Sequence, residues 1–82
     1  MASKEKQIIL KYKDSEINLT IKNDFVEAIN EIKRKLNFQD KDLEKYELYY
    51  LDEEEDENIL DEENFEEAFN YSVWGLRPIE NI

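Results

Sequence analysis

The 82 residues carry 22 acidic and 11 basic side chains, a net charge of −11, yet 40% are apolar, with five Tyr, four Phe and one Trp, too many for a disordered acidic tail. Neither Cys nor His is present, which excludes disulfide staples, Cys/His zinc sites and histidine acid–base catalysis, so no enzyme activity, metal site or cofactor is expected. No apolar run reaches the roughly 18 residues of a bilayer span, and "MASKEKQ" lacks the apolar core of a signal peptide, which points to a cytoplasmic protein.

The stretch "IILKYKDSEINLTI" (8–21) alternates in two arms. A two-residue turn at Asp14-Ser15 predicts a hairpin in which Tyr12 faces Ile17, Leu10 faces Leu19 and Ile8 faces Ile21, leaving Lys11, Lys13, Asn18 and Thr20 on the other face. At "NDFVEAINEIKRKLNF" (23–38) the period changes to about 3.6, and Phe25, Ala28, Ile29, Ile32 and Leu36 form one stripe. Asp24 and Glu27 read as a capping box for this helix. Lys33-Arg34-Lys35 suits the negative end of its dipole, with a basic docking patch as the competing reading.

"FQDKDLEKYE" (38–47) reads as a polar connection and "YELYYL" (46–51) as a strand. After an acidic turn come a short strand at 58–60, a second helix at 61–71 with Asp61 as N-cap and Phe65, Ala68 and Phe69 inward, and a last strand at 72–79. Pro78 suggests an edge or a terminus for that strand. The expected order is ββαββαβ: an α+β domain with a mixed sheet and two helices on one face, spanning 1–82 as a single unit.

Charge is lopsided along the chain. Residues 1–51 hold ten acids and ten bases, whereas 52–82 hold twelve acids and Arg77 alone among bases. Such a field repels phosphate backbones and anionic membranes and steers cationic partners to one end, so neither nucleic acid nor membrane is expected as a partner. Eleven carboxylates fall in the sixteen positions from Asp52 to Glu67. Their mutual repulsion predicts raised carboxyl pKa values and a fold that gains stability from neutral pH toward about pH 5.

Three readings compete for this tract. One is a solvated acidic turn on a structural domain, with Glu62 and Glu63 at the positive end of a helix. Another is a calcium loop, since Asp52, Glu54, Asp56, Asn58 and Glu63 approach EF-hand spacing. That spacing lacks the central glycine, having Glu57 there, and lacks an entering helix. The third is a surface for a basic partner, whose Lys and Arg groups would relieve the crowding.

"YYLDEEEDENILDEENFEEAF" (49–69) resembles the acidic motif of PB1 domains. Tyr50, Asp52, Glu54 and Asp56 match its first part, and Glu62, Glu63, Phe65, Glu66, Glu67 and Ala68 its second. The resemblance covers about residues 7–80. It implies a ubiquitin-like β-grasp fold and a scaffolding module, of the kind used in signalling, whose acidic face binds the basic cluster of a partner PB1-type domain. Asp52, Glu54, Asp56, Glu62 and Glu63 would be the contacts. The family usually has glycine at the position of Glu55, which predicts a differently shaped turn here. Its basic back face aligns a lysine with Ile9. Lys11 and Lys13 are the nearest candidates for a weak basic face, so the resemblance is to an acidic-only member, with weak self-association as a further expectation. Calcium binding, or a ubiquitin-like structural domain without a specific partner, stand as the alternatives.

Overall fold

Two strands, Glu5–Tyr12 (β1) and Ser15–Lys22 (β2), fold back on each other in the computed structural model, which describes residues 5–79. The hairpin is as expected in kind, but its register differs by two. Tyr12 faces Ser15, Leu10 faces Ile17 and Ile8 faces Leu19, so the turn is Lys13-Asp14. A shift of two keeps every side chain on its face, and apolar patterning cannot tell the two registers apart. Lys13 takes the positive φ (55°) that closes the turn.

Helix α1, Phe25–Leu36, begins where Asp24 accepts hydrogen bonds from the amides of Val26 (2.9 Å) and Glu27 (3.3 Å). The Asp24 amide itself donates to the Lys22 carbonyl, so only half of the expected capping box forms. Asn37 ends the helix in the left-handed conformation (φ 60°), and the Phe38 amide returns to the Lys33 carbonyl. Lys33 pairs with Asp40 and Arg34 with Glu31, which spends two of the three charges of the basic run locally.

The expected polar connection contains a short helix, α2 (Asp40–Leu43). Its start is marked by half of a capping box, the Gln39 amide donating to the Asp42 carboxylate (2.9 Å). The helices therefore number three among the described residues, not two, and none is long and apolar enough to cross a membrane. Strand β3 is Tyr46–Leu51, β4 is Glu57–Ile59, α3 is Phe65–Ala68 and β5 is Val73–Pro78. The second helix is shorter than the 61–71 pattern suggests. Asp61 and Asn64 exchange side-chain-to-amide hydrogen bonds (2.8 and 3.1 Å), which closes a separate turn, and regular helix starts only at Phe65.

The sheet runs β2-β1-β5-β3-β4, with β1 and β5 parallel and all other neighbours antiparallel. The last strand is thus central, and Pro78 is confined to its final position, where a missing N–H costs least. One face of the sheet supplies Ile8, Leu10, Leu19, Ile21, Tyr50, Trp74 and Leu76 to the core, closed by Ala28 and Ile32 of α1 and Phe65 and Ala68 of α3. On the other face the ring of Tyr49 lies across Gly75, where a Cβ would overlap it. This close approach accounts for the chain's single glycine. Arg77 covers the same ring at 5.7 Å and is held there by Glu47 (2.9 Å) and Glu57.

Candidate acidic interface

Strand β3 delivers Asp52 to the mouth of a five-residue loop, and Asp52 organises that loop. One carboxylate oxygen accepts from the amides of Glu54 (2.9 Å) and Asp56 (3.0 Å); the other accepts from the Asn58 side chain (3.0 Å). Asn58 also donates to the Asp56 carbonyl, while the Glu55 amide donates to the Asp52 carbonyl (2.9 Å). Both oxygens of Asp52 are therefore spent inward. A charged acceptor with several donors favours its ionised form, so Asn58 first, with the Asp56 and Glu54 amides, holds the Asp52 carboxyl below the usual carboxylate range.

That direction reverses, at Asp52, the rise expected from crowding, because local donors outweigh screened repulsion between solvated neighbours. The sign for stability reverses with it. A carboxylate held below its unfolded value stabilises the fold above the unfolded pKa of about 3.9, and the contribution is lost as pH falls through the lower folded value. The melting temperature is expected to drop on acidification below about pH 4, and Asp52→Asn should lack that part of the drop. Parallel pH profiles for both proteins would contradict this assignment.

Glu55 occupies the position where the resemblance has glycine, and it adopts φ 63°. That is the left-handed region which favours glycine, so the turn carries a strained Cβ. Relief of a left-handed non-glycine residue amounts to about 1 kcal/mol, or about 4–8 °C in a domain of this size. Glu55→Gly is expected to raise the melting temperature by that amount, and Glu55→Gln, which removes the charge and keeps the Cβ, by less. Equal gains would assign the effect to charge alone.

Of the residues singled out in the sequence, Glu54 and Asp56 have exposed side chains that make no hydrogen bond or ion pair among the described residues. Glu62 and Glu63 are likewise exposed, and they lie in the turn closed by Asp61 and Asn64, not in a first helical turn. The acids at the start of α3 are Glu66 and Glu67. Asn64 ties this second acidic segment to the first by donating to the Ile59 carbonyl at the end of β4.

A further group is assembled by tertiary packing. Tyr50 and Tyr71 stack at 5.2 Å, and the Tyr71 hydroxyl lies 3.5 Å from a Glu53 oxygen. Burial, then Glu67 and Asp52, raises the Tyr50 phenol; burial, then Glu53 and Glu67, raises that of Tyr71. Glu53, Glu67 and the tyrosine pair thus join the acidic surface. Tyr50 is legible within the motif, whereas Tyr71 lies outside it, three residues before Trp74, the β5 residue that faces Tyr50.

Of the eleven carboxylates from Asp52 to Glu67, Glu57 alone has a cationic partner, Arg77, among the described residues; the other ten have none. No three acidic side chains among those residues converge as a metal site, and the EF-hand-like spacing follows a strand, not a helix. Lys11 lies on the open sheet face opposite Glu16, and Lys13 sits in the hairpin turn with its ammonium 5.3 Å from the Tyr12 ring. The pairing register sets both lysines toward the end of the sheet away from Asp52. Compared with protein-family models, curated proteins and solved structures, the chain matches none.

Proposed function

We propose that this chain is a protein-interaction module of PB1 type on a ubiquitin-like β-grasp fold, which presents a preshaped acidic face to the basic surface of a partner domain. A sheet in the order β2-β1-β5-β3-β4 with a parallel central pair supports the fold assignment. The observation that carries the function is that ten carboxylates have no cationic partner among the described residues, beside a loop whose backbone is already fixed by Asp52. Prior ordering lowers the entropy lost on binding, and opposite charge raises the rate of encounter.

In this reading Glu54, Asp56, Glu62 and Glu63 contact the partner's Lys and Arg groups, and Asp52 shapes the loop. Lys11 and Lys13 form at most a weak basic counterpart, so hetero-association prevails over head-to-tail chains. The module performs no catalysis and takes no cofactor. Calorimetric titration with a domain bearing a PB1-type basic cluster is expected to show saturable binding that weakens steeply with salt. An absence of binding at low salt, or saturable micromolar calcium binding by the loop, would overturn the proposal.

A further inference from the structure

The two edges of the sheet are unlike. Strand β4 has three residues and carries Glu57, and such short, charged edges resist pairing with another chain. Strand β2 has eight residues, Ser15–Lys22, pairs with β1 without a bulge, and contains no Gly or Pro. No described element pairs with its outer side. Its charges, Glu16 and Lys22, stand near the two ends of an uncharged run, Ile17 to Ile21.

Its unpaired groups can be identified. The two-residue turn makes Tyr12 and Ser15 a hydrogen-bonded pair, and such pairs alternate along an antiparallel ladder. The Ile9 amide donates to the Ser72 carbonyl (2.8 Å), away from β2, which confirms that Ile9 and its neighbour Asn18 are not bonded to each other. The amides and carbonyls of Glu16, Asn18, Thr20 and Lys22 therefore point outward, although the Lys22 carbonyl already accepts from Asp24.

We propose that this edge pairs antiparallel with the same edge of a second copy of the chain, Leu19 meeting the partner's Leu19 on a two-fold axis and Glu16 facing the partner's Lys22. Among symmetric registers that use the outward groups, this one engages all four of those residues, and it sets Asn18 opposite the partner's Thr20. About six main-chain hydrogen bonds can form between free groups, and two more if each Lys22 carbonyl accepts a second donor. The two charge pairs choose the register and add little affinity at the surface. The acidic tract is at the opposite edge, about 19 Å away across four strand spacings, some two Debye lengths at physiological salt. The pairing thus leaves both acidic faces open.

Edge pairing and binding at the acidic face are independent, and salt separates the two. Association through carboxylates is lost at high salt, whereas pairing of two chains of like net charge is retained. Sedimentation from about 10 µM to 1 mM is expected to show a weak monomer–dimer equilibrium, as befits a contact below the usual ~1,200 Å² of stable interfaces. The Asn18 and Thr20 amides should exchange with solvent more slowly as concentration rises.

Thr20→Pro removes only an outward amide and should abolish the dimer while the circular dichroism spectrum is kept. Glu16→Lys should weaken it at least threefold, and Glu16→Lys with Lys22→Glu should restore it. A monomer at 1 mM, a dimer that survives Thr20→Pro, or a charge swap without rescue would overturn the proposal. Protection of β2 amides that appears only with a different protein would assign the edge to another occupant and overturn it equally.

Discussion

Glu54→Lys combined with Asp56→Lys is expected to weaken binding of a basic partner at least a hundredfold and to leave the fold unchanged. Close charge pairs across interfaces are worth about 1.5–7 kcal/mol, and each ~1.4 kcal/mol is tenfold, so losing two pairs at the low end already reaches that factor. These two positions are suited to the test because the loop uses their backbone amides and not their side chains. Asp52 is unsuited. Its removal frees the Glu54 and Asp56 amides and the Asn58 side chain at once, so lost binding would report a lost loop. Glu62→Lys with Glu63→Lys forms a second arm, and its effect measures how far the contact extends beyond β4. Parental affinity in the Glu54/Asp56 variant, measured calorimetrically at low salt, would remove this part of the acidic face from consideration and place the contact elsewhere on the α+β domain.

The elements that could be read from residues are those whose periodicity is long. The strands at β1, β2 and β3 and the stripe of α1 repeat over six to twelve residues, and each is found where its pattern lies. What escaped reading is short or depends on a partner distant in sequence. The hairpin register turned on Lys13 accepting a positive φ, which nothing in a lysine announces. Helix α2 is four residues long, and only its Gln39–Asp42 cap marks it. In the acidic tract the residue types were plain and their roles were not. Asp52 faces inward because Asn58 reaches back six positions to meet it, so the spacing Asp-x5-Asn was the available signal. The part played by Tyr71 has no local signal, since it depends on β5 entering the sheet beside β3.

Trp74→Ala is expected to leave the chain largely unfolded at 25 °C, whereas Trp74→Phe should fold with clearly reduced stability and nearly parental affinity for a basic partner. Trp74 is fully buried in the central strand, level with Leu10 on one side and Tyr50 on the other, and packs edge-on against Phe65. Truncating such a side chain costs about 3–5 kcal/mol, comparable with the whole stability of a domain this small. The indole also donates to the carbonyls of Ala68 (3.1 Å) and Tyr71 (3.2 Å), which satisfies the C-terminal end of α3 and anchors it to the sheet. Phenylalanine keeps most of the volume and loses that donor; the Ala68 carbonyl still accepts from the Tyr71 amide (3.0 Å), so the loss is that of a net hydrogen bond, about 0.5–1.5 kcal/mol. Its effect should concentrate on α3 and Tyr71, seen as faster amide exchange there. The Asp52–Asn58 loop makes its own hydrogen bonds and does not depend on the indole. Denaturant melts followed by circular dichroism would show the loss, and calorimetry the retained affinity. Equal stability of Trp74→Phe and the parent would mean that the indole N–H does not hold α3, while a parallel fall in affinity would place the binding surface on α3 and not on the loop.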